Sequence, residues 1–347
     1  MTKLTIRQQK IVEFIKKNPS SSNSAITKHI KEVSRFTIIR DLDFLLTKKI
    51  IAKQGSGRNI TYTENEQNPL LTYFDVDNYF KNGPDERDVP YKKFNFDIFN
   101  NLKNIFTKSE ESDINRLNKK YQNNIKKLST AAILKDYERL TIELSWKSSQ
   151  IEGNTYSLID TEVLIEENQE ASGHKKEEAT MLLNHKKALD LIWQNKKRFK
   201  TLDLRDIEYI HGLLVHDLNV SKGLRKRIVG ITGTVYKPLN NQYQIKESLE
   251  KTVRKINQIK NPVSKAILTT LMISYIQPFE DGNKRTTRIV ANAILLANKH
   301  CPLSLRSVDP SEYKKAILLF YEQNNINYFK QLFIEQYQFA VENYFGA

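Results

Sequence analysis

Cysteine is almost missing from this chain: one, Cys301, in 347 residues. A single thiol excludes any internal disulfide and fits a reducing compartment. No apolar run is long enough to span a bilayer; the longest, around residues 266–276, falls well short of the roughly 20 residues required. The opening M-T-K-L-T-I-R-Q-Q-K has no signal-peptide hydrophobic region. These absences lead us to expect a cytoplasmic protein with no membrane partner. Histidine is also scarce, and the nearest pair, His211 and His216, has a spacing that no common zinc motif uses. Both read as packing or surface residues. Internal repeats and low-complexity tracts are missing as well.

What is present is an ordinary globular composition, 39% hydrophobic and 27% charged, with length enough for two or three domains. The net charge of +15 is unevenly placed: residues 1–65 hold thirteen Lys/Arg against five Asp/Glu. A polyanion partner for this segment and a lysine-rich solvated surface explain that excess equally well.

Apolar positions at Ile6, Ile11, Val12, Phe14 and Ile15 predict a helix over residues 5–17, ended before Pro19. Ser21–Ser24 offer caps for a second helix with Ile26 and Ile30 inward. A turn at Glu32-Val33 and a cap at Ser34 lead into a third. Its expected inner face is Phe36, Ile39, Leu42 and Leu46, and its outer face Arg35, Thr37, Ile38 and Arg40. Strand, glycine-rich tip with Arg58, and returning strand follow over residues 50–62. This order resembles the winged helix-turn-helix family. The resemblance implies DNA binding through residues 1–66, with Arg35, Thr37, Arg40 and Arg58 at the DNA and pairing into a homodimer. Residues 67–109 read as a turn-rich linker docked on its neighbour, and residues 110–347 as a helical domain.

Within that domain Ile276 to Arg288 reads I-Q-P-F-E-D-G-N-K-R-T-T-R, a polar loop between two apolar helical patterns. Pro278 stops the first helix, and Asp281-Gly282-Asn283 supplies a turn and a capping residue for the second. A helix start with free N–H groups, followed by Arg285 and Arg288 one turn apart and preceded by Asp281, describes a nucleotide-phosphate site. Upstream, a helix ends at Ser148-Ser149-Gln150-Ile151-Glu152-Gly153, with Gly153 as C-cap. Glu152 opposes the helix dipole there and gains by meeting a cation. Residues 229–239 are glycine-punctuated and extended. An edge that accepts a strand and a surface loop filling a gap are both open readings.

These three features in this order resemble the Fic/Doc family, whose usual members transfer AMP from ATP to a protein hydroxyl. The family's loop is H-P-F-x-D/E-G-N-G-R-x-x-R. The expected fold class is therefore mainly α: an all-helical Fic-type domain with a β-hairpin flap, preceded by a small α+β winged helix domain. By the resemblance Asp281 holds magnesium, and Gly282, Asn283, Lys284, Arg285 and Arg288 hold the ATP phosphates. Ser148, Glu152 and Gly153 form an inhibitory motif in which Glu152 pairs with Arg288. Thr232, Gly233, Thr234, Val235 and Tyr236 form the flap that takes a protein target.

Two positions depart from the pattern. Gln277 stands where the family has its catalytic histidine base, a group that commonly contributes about 100- to 10,000-fold. A glutamine can orient a hydroxyl but cannot take its proton near neutral pH. Lys284 replaces a glycine, as in Doc-like members that transfer a phosphoryl group. Three functions follow: a nucleotide-binding regulator with weak or absent AMP transfer, an active protein adenylyltransferase with Gln277 as positioning group, and a Doc-like phosphotransferase.

Overall fold

The computed structural model describes residues 4–30, 33–48, 50–65, 68–103 and 105–346. Glu32 of the expected turn and the side chain of Arg58 lie outside the described residues. The chain divides into two compact units, residues 1–87 with 325–328 and residues 88–324 with 329–347. Of the stretch read as a linker, that division places residues 67–87 in the first unit and 88–109 in the second.

The first unit runs α1 (Ile6–Lys17), β1 (Ser21–Ser22), α2 (Asn23–Ile30), α3 (Arg35–Thr47), β2 (Ile51–Gln54), β3 (Thr61–Glu64) and α4 (Val76–Tyr79). Thr5 and Gln8 close a capping box at the start of α1, and the Ser34 hydroxyl accepts from Thr37 N–H at the start of α3. The three strands pair antiparallel in the order β1-β3-β2, with Ser21 and Lys53 both opposite Tyr62. Ile11, Ile15, Ile26, Ile38, Leu42, Leu45 and Ile51 form the core.

The inner face of α3 differs from the one expected. Ile38, Asp41, Leu42 and Leu45 are buried, while Phe36 is 81% exposed. A carboxylate occupies an inward position because Arg7 Nε meets it at 2.5 Å and Gln8 Nε2 at 3.0 Å. Hydrophobic patterning discounts an acid, so it slides the predicted stripe off register. The outward side of α3 carries Arg35, Phe36 and Arg40, all exposed, with Thr37 and Ile39 half-buried.

The second unit contains α5 (Ile98–Asn101), α6 (Lys108–Ile125), α7 (Thr130–Ile151), α8 (Leu158–Glu167), α9 (Lys176–Gln194), α10 (Leu204–Leu214), α11 (Gln242–Gln258), α12 (Pro262–Ile276), α13 (Asn283–Ala297), α14 (Pro310–Gln323) and most of α15 (Asn327–Asn343). At its centre, α12 is buried on every side from Val263 to Ile276. A helix enclosed all round must satisfy its polar side chains internally. Thr269 and Thr270 do so by donating to the carbonyls of Lys265 and Ala266, at 2.7 and 3.0 Å. No helix among the described residues is long and apolar enough to cross a membrane.

The expected β-hairpin between α10 and α11 is instead a turn at Thr232-Gly233 whose arms do not pair with each other. Its one ladder contact is a parallel bridge between Lys237 and Lys93. Gly233, at φ 85°, serves that turn, and the segment is held by side chains described below.

Replacing Asp41 by alanine strips Arg7 and Gln8 of their acceptor and is expected to destabilise the first unit by about 1–3 kcal/mol. Phe36→Ala is expected to change it by less than about 0.5 kcal/mol. Hydrogen exchange of the α1 and α3 amides measures both.

Candidate active site

Helix α12 ends on Gln277, which adopts a left-handed conformation at φ 50° and donates its N–H to Ile273 O at 3.0 Å. Helix α13 begins at Asn283 after Gly282, also left-handed at φ 78°. A Cβ at Gly282 would lie 3.1 Å from Val215 Cγ1, so space and φ both demand glycine there. No side chain caps α13. The sequence reading placed a capping residue here, but Asn283 turns back instead. Its Nδ2 donates to Phe279 O at 2.8 Å, and its Oδ1 accepts from Phe279 N at 2.9 Å. The first N–H groups of α13 are thus left open to an anion.

Two buried residues that motif reading passed over hold this loop. His211, on α10, stacks on Phe279 with ring centroids 3.7 Å apart and an interplanar angle of 7°. Its Nε2 donates to Asp281 O at 3.0 Å. Burial pushes its pKa down to about 4, so the ring is neutral at physiological pH. Arg225 is buried with no acid beside it. Its Nε donates to Gln277 O at 2.6 Å, Nη1 to Arg227 O at 2.8 Å, Nη2 to Leu239 O, and its backbone N–H to Pro278 O at 2.9 Å. One guanidinium therefore ties the start of the loop to both arms of the turn segment. A lone arginine outside any periodic pattern carries no signal of such a role.

The loop opens on a cavity of about 370 Å³. Gln277, Asp281, Gly282, Asn283, Lys284 and Arg285 line it, together with Glu152, Thr232, Glu280, Tyr313 and Lys314. Gln277 donates Nε2 to Ser274 O at 2.7 Å and to the Tyr321 hydroxyl at 3.2 Å, which orients its amide. Asp281 keeps a side chain 67% exposed, with Oδ2 accepting from Arg285 Nη2 at 2.8 Å. The Arg285 guanidinium is otherwise buried, and its Nη1 has no partner among the described residues. A buried, unpaired guanidinium N–H is costly unless an anion meets it.

Arg288 does not line this cavity; Glu152 stands there in its place. Arg288 Nη2 meets Glu152 Oε1 at 2.6 Å, and Nη1 donates to both the carbonyl and the hydroxyl of Ser148 at 3.0 Å. Its Nε reaches the Tyr313 hydroxyl at 3.4 Å. The Ser148 hydroxyl also contacts His185 Nε2 at 3.0 Å. His185 Nδ1 faces Met181 O at 2.9 Å, and a carbonyl only accepts, so Nδ1 carries the proton and Nε2 accepts from Ser148. Burial holds His185 neutral by pushing its pKa down to about 3. Burial would raise the Glu152 carboxyl, but Arg288 and Lys284 outweigh it and hold it below the usual value. Lys284 Nζ lies 3.9 Å from Glu152 Oε2. Gly153, at φ 99°, turns the chain immediately after this pair.

Of the remaining expected site residues, Thr232 reaches the cavity, and Thr234, Val235 and Tyr236 line a neighbouring groove. Gly233 occupies the turn. Tyr236 is buried and donates to Tyr275 O at 2.8 Å, so it anchors the segment rather than presenting a surface. Arg35, Thr37 and Arg40 lie in the first unit. His216 is half-exposed beside Asp217.

Residues 201–295 match the Fic/DOC family. A protein adenylyltransferase Fic of Nematostella vectensis is 27% identical over 177 residues, 48% of this chain and 40% of that protein. The protein adenylyltransferase fic-1 of Caenorhabditis elegans is 23% identical over 203 residues, 57% of this chain and 40% of that protein. This chain thus matches about two-fifths of the length of those relatives. Among solved structures, Fic-1 (residues 134–508) of C. elegans superposes with a TM-score of 0.57 at 19% identity, covering 69% of this chain and 71% of that one. A Fic domain containing signalling protein of Bacteroides thetaiotaomicron gives 0.55 at 21%, covering 66% and 96%. The family match and the curated relatives support a Fic/DOC domain in the second unit, and the structural neighbours share its fold.

His185, His211 and His300 are all buried with depressed pKa values, about 3, 4 and 4. Each takes up a proton on unfolding below pH ~6.5. Stability is therefore full above that pH and falls as pH drops towards 4, with a slope approaching about 4 kcal/mol per pH unit near pH 5. Urea midpoints measured from pH 7 to pH 4.5 check the sign and steepness.

Proposed function

We propose that the second unit is an ATP-binding Fic-type domain held in a self-inhibited state, with weak or absent AMP transfer to protein hydroxyls, and that the first unit binds DNA. One observation carries the inhibited reading: Arg288, the guanidinium expected at the distal phosphates, is held by Glu152 behind the cavity wall. While that pair persists, a triphosphate meets Arg285 and the open start of α13 but lacks its outermost partner. Breaking the pair would leave a buried charge, so Glu152 is a firm brake.

The donor set fits a magnesium ion of the kind completed by substrate phosphates and water. Asp281 supplies one exposed carboxylate at the cavity, and no cluster of three or more acidic, histidine or cysteine ligands occurs among the described residues. Such an ion, when bound, neutralises phosphate charge. The protein's own part is to orient the nucleotide and the incoming hydroxyl. Gln277 accepts that hydroxyl's hydrogen bond through Oε1, since its Nε2 is engaged by Ser274 and Tyr321. It does not take the proton, which weakens transfer by the share a base contributes, about 100- to 10,000-fold. This chemistry supports a nucleotide-responsive regulator over an efficient enzyme.

The α-³²P- and γ-³²P-ATP pair separates the alternatives. Glu152→Gly is expected to bind ATP more tightly than the parent with little protein label, and adding Gln277→His is expected to raise α-phosphate label by about 100-fold or more. Strong α label in the parent favours an active adenylyltransferase, and γ label alone a phosphotransferase. ATP binding absent from parent and Glu152→Gly alike sinks the nucleotide reading.

For the first unit, helix order, a three-stranded sheet and exposed Arg35 and Arg40 on α3 support a winged helix at DNA. Changing Arg35, Arg40 and Arg58 to alanine is expected to abolish a mobility shift on the DNA upstream of the protein's own gene and to flatten its salt dependence. A parent protein that shifts no duplex at low salt refutes this reading.

A further inference from the structure

Beside the nucleotide cavity the second unit carries a groove of about 530 Å³, which meets it at Gly230 and Ile231, residues common to both. Lys92 and Lys93 form one wall, and Thr234, Val235 and Lys237 contribute to the other. All three lysines are exposed, none has an ion-pair partner among the described residues, and no Asp or Glu lines the groove. Three unpaired ammonium groups around one concavity repel each other and focus a positive field into it.

The backbone adds a second feature. Lys237 N–H donates to Lys92 O at 2.9 Å, and Lys93 and Lys237 form a parallel bridge, but the ladder stops at that rung. The peptide groups of Val235 have no backbone partner among the described residues. Extended backbone with unspent donors and acceptors takes another strand, as the resemblance to the Fic/Doc family implies for this segment; what the lysines add is the charge of that strand. The buried Tyr236 hydroxyl bond to Tyr275 O keeps this edge in place while the groove stays open.

We propose that the groove takes an extended acidic segment of a target protein, whose carboxylates meet Lys92, Lys93 and Lys237 while its hydroxyl enters the cavity beside Gln277. This rests on the reading of the second unit as one that presents a protein hydroxyl to a nucleotide. Lys237 lies six positions beyond Ile231, a span of at most roughly 20 Å. The acids of the target therefore lie within about six residues of its Ser, Thr or Tyr. An unspent peptide edge favours a peptide over a nucleic acid. Bases would need an exposed aromatic face to stack on, and the tyrosine of this groove is buried.

Three fluorescent peptides of equal length test this by anisotropy, each with a central serine flanked by Glu/Asp, by Lys or by Gly/Ala. A single-stranded oligonucleotide of matching charge accompanies them. The full chain is expected to prefer the acidic peptide by about tenfold or more at low salt. The triple variant Lys92→Glu, Lys93→Glu, Lys237→Glu, folded as judged by circular dichroism, is expected to lose that preference and favour the lysine peptide. Equal binding of all three peptides, or a preference untouched by charge reversal, overturns the proposal. Tighter binding of the oligonucleotide through the same lysines overturns it too. ATP affinity measured by calorimetry on the same samples separates the two readings: its loss in the parent removes the nucleotide site, whereas the peptide preference reads the groove alone.

Discussion

Phe279 sits fully buried between α10 and α13, with the His211 ring flat against it and the Asn283 side chain closed on both its backbone groups. Every other feature of the loop depends on this clamp. Because Asn283 is spent on Phe279, no side chain covers the start of α13, and its N–H groups face the cavity. Because His211 is neutral, it can be stacked in the core without a counter-charge, and it steadies Asp281 through its main-chain oxygen. A loop so held needs no ligand to take its shape, which is the condition for electrostatic preorganisation.

Charge is handled differently on the two sides of the loop. Arg285 stays at the cavity with one nitrogen unpartnered, whereas each nitrogen of Arg288 has a partner in Glu152, Ser148 or Tyr313. The His185–Ser148 hydrogen bond fixes the serine hydroxyl as an acceptor for Arg288, so a neutral histidine linked to the ion pair through Ser148 helps to define it. Removal of the carboxylate alone would strand the guanidinium, while the presence of a triphosphate could replace it. Under the proposed reading, competition between Glu152 and a phosphate for one arginine is the physical content of self-inhibition.

Arg225 provides the mechanical link between loop and turn segment. By donating to Gln277, Arg227 and Leu239 it makes the groove wall and the loop parts of one hydrogen-bonded body. An arginine surrounded by carbonyls and no acid stays charged at the cost of burial, and its planar fork suits three separate acceptors better than a lysine would.

Much of this was readable in residue order. The apolar patterns on either side of Gln277–Arg288, the glycine at Gly282, the end of α7 at Glu152 and its need for a cation are all local, and local physics is written in adjacent residues. The register of α3 was not legible, because the acid that breaks the stripe is compensated by Arg7 and Gln8 on another helix. Neither was the absence of a hairpin at residues 229–239, since pairing is a property of two segments and the partner of this one is Lys93.

By itself, then, the order of residues determined which side chains could serve a phosphate site, that α12 and α13 would be buried, and that the base position holds a glutamine. Tertiary structure alone decided that Arg285 remains at the cavity with one nitrogen unpartnered, that His211, His185 and Arg225 support the loop, and that Lys237 shares one groove with the distant pair Lys92 and Lys93. The reason is range. Helical periodicity and capping act over a few residues, whereas desolvation and ion pairing depend on neighbours that only the folded chain assembles.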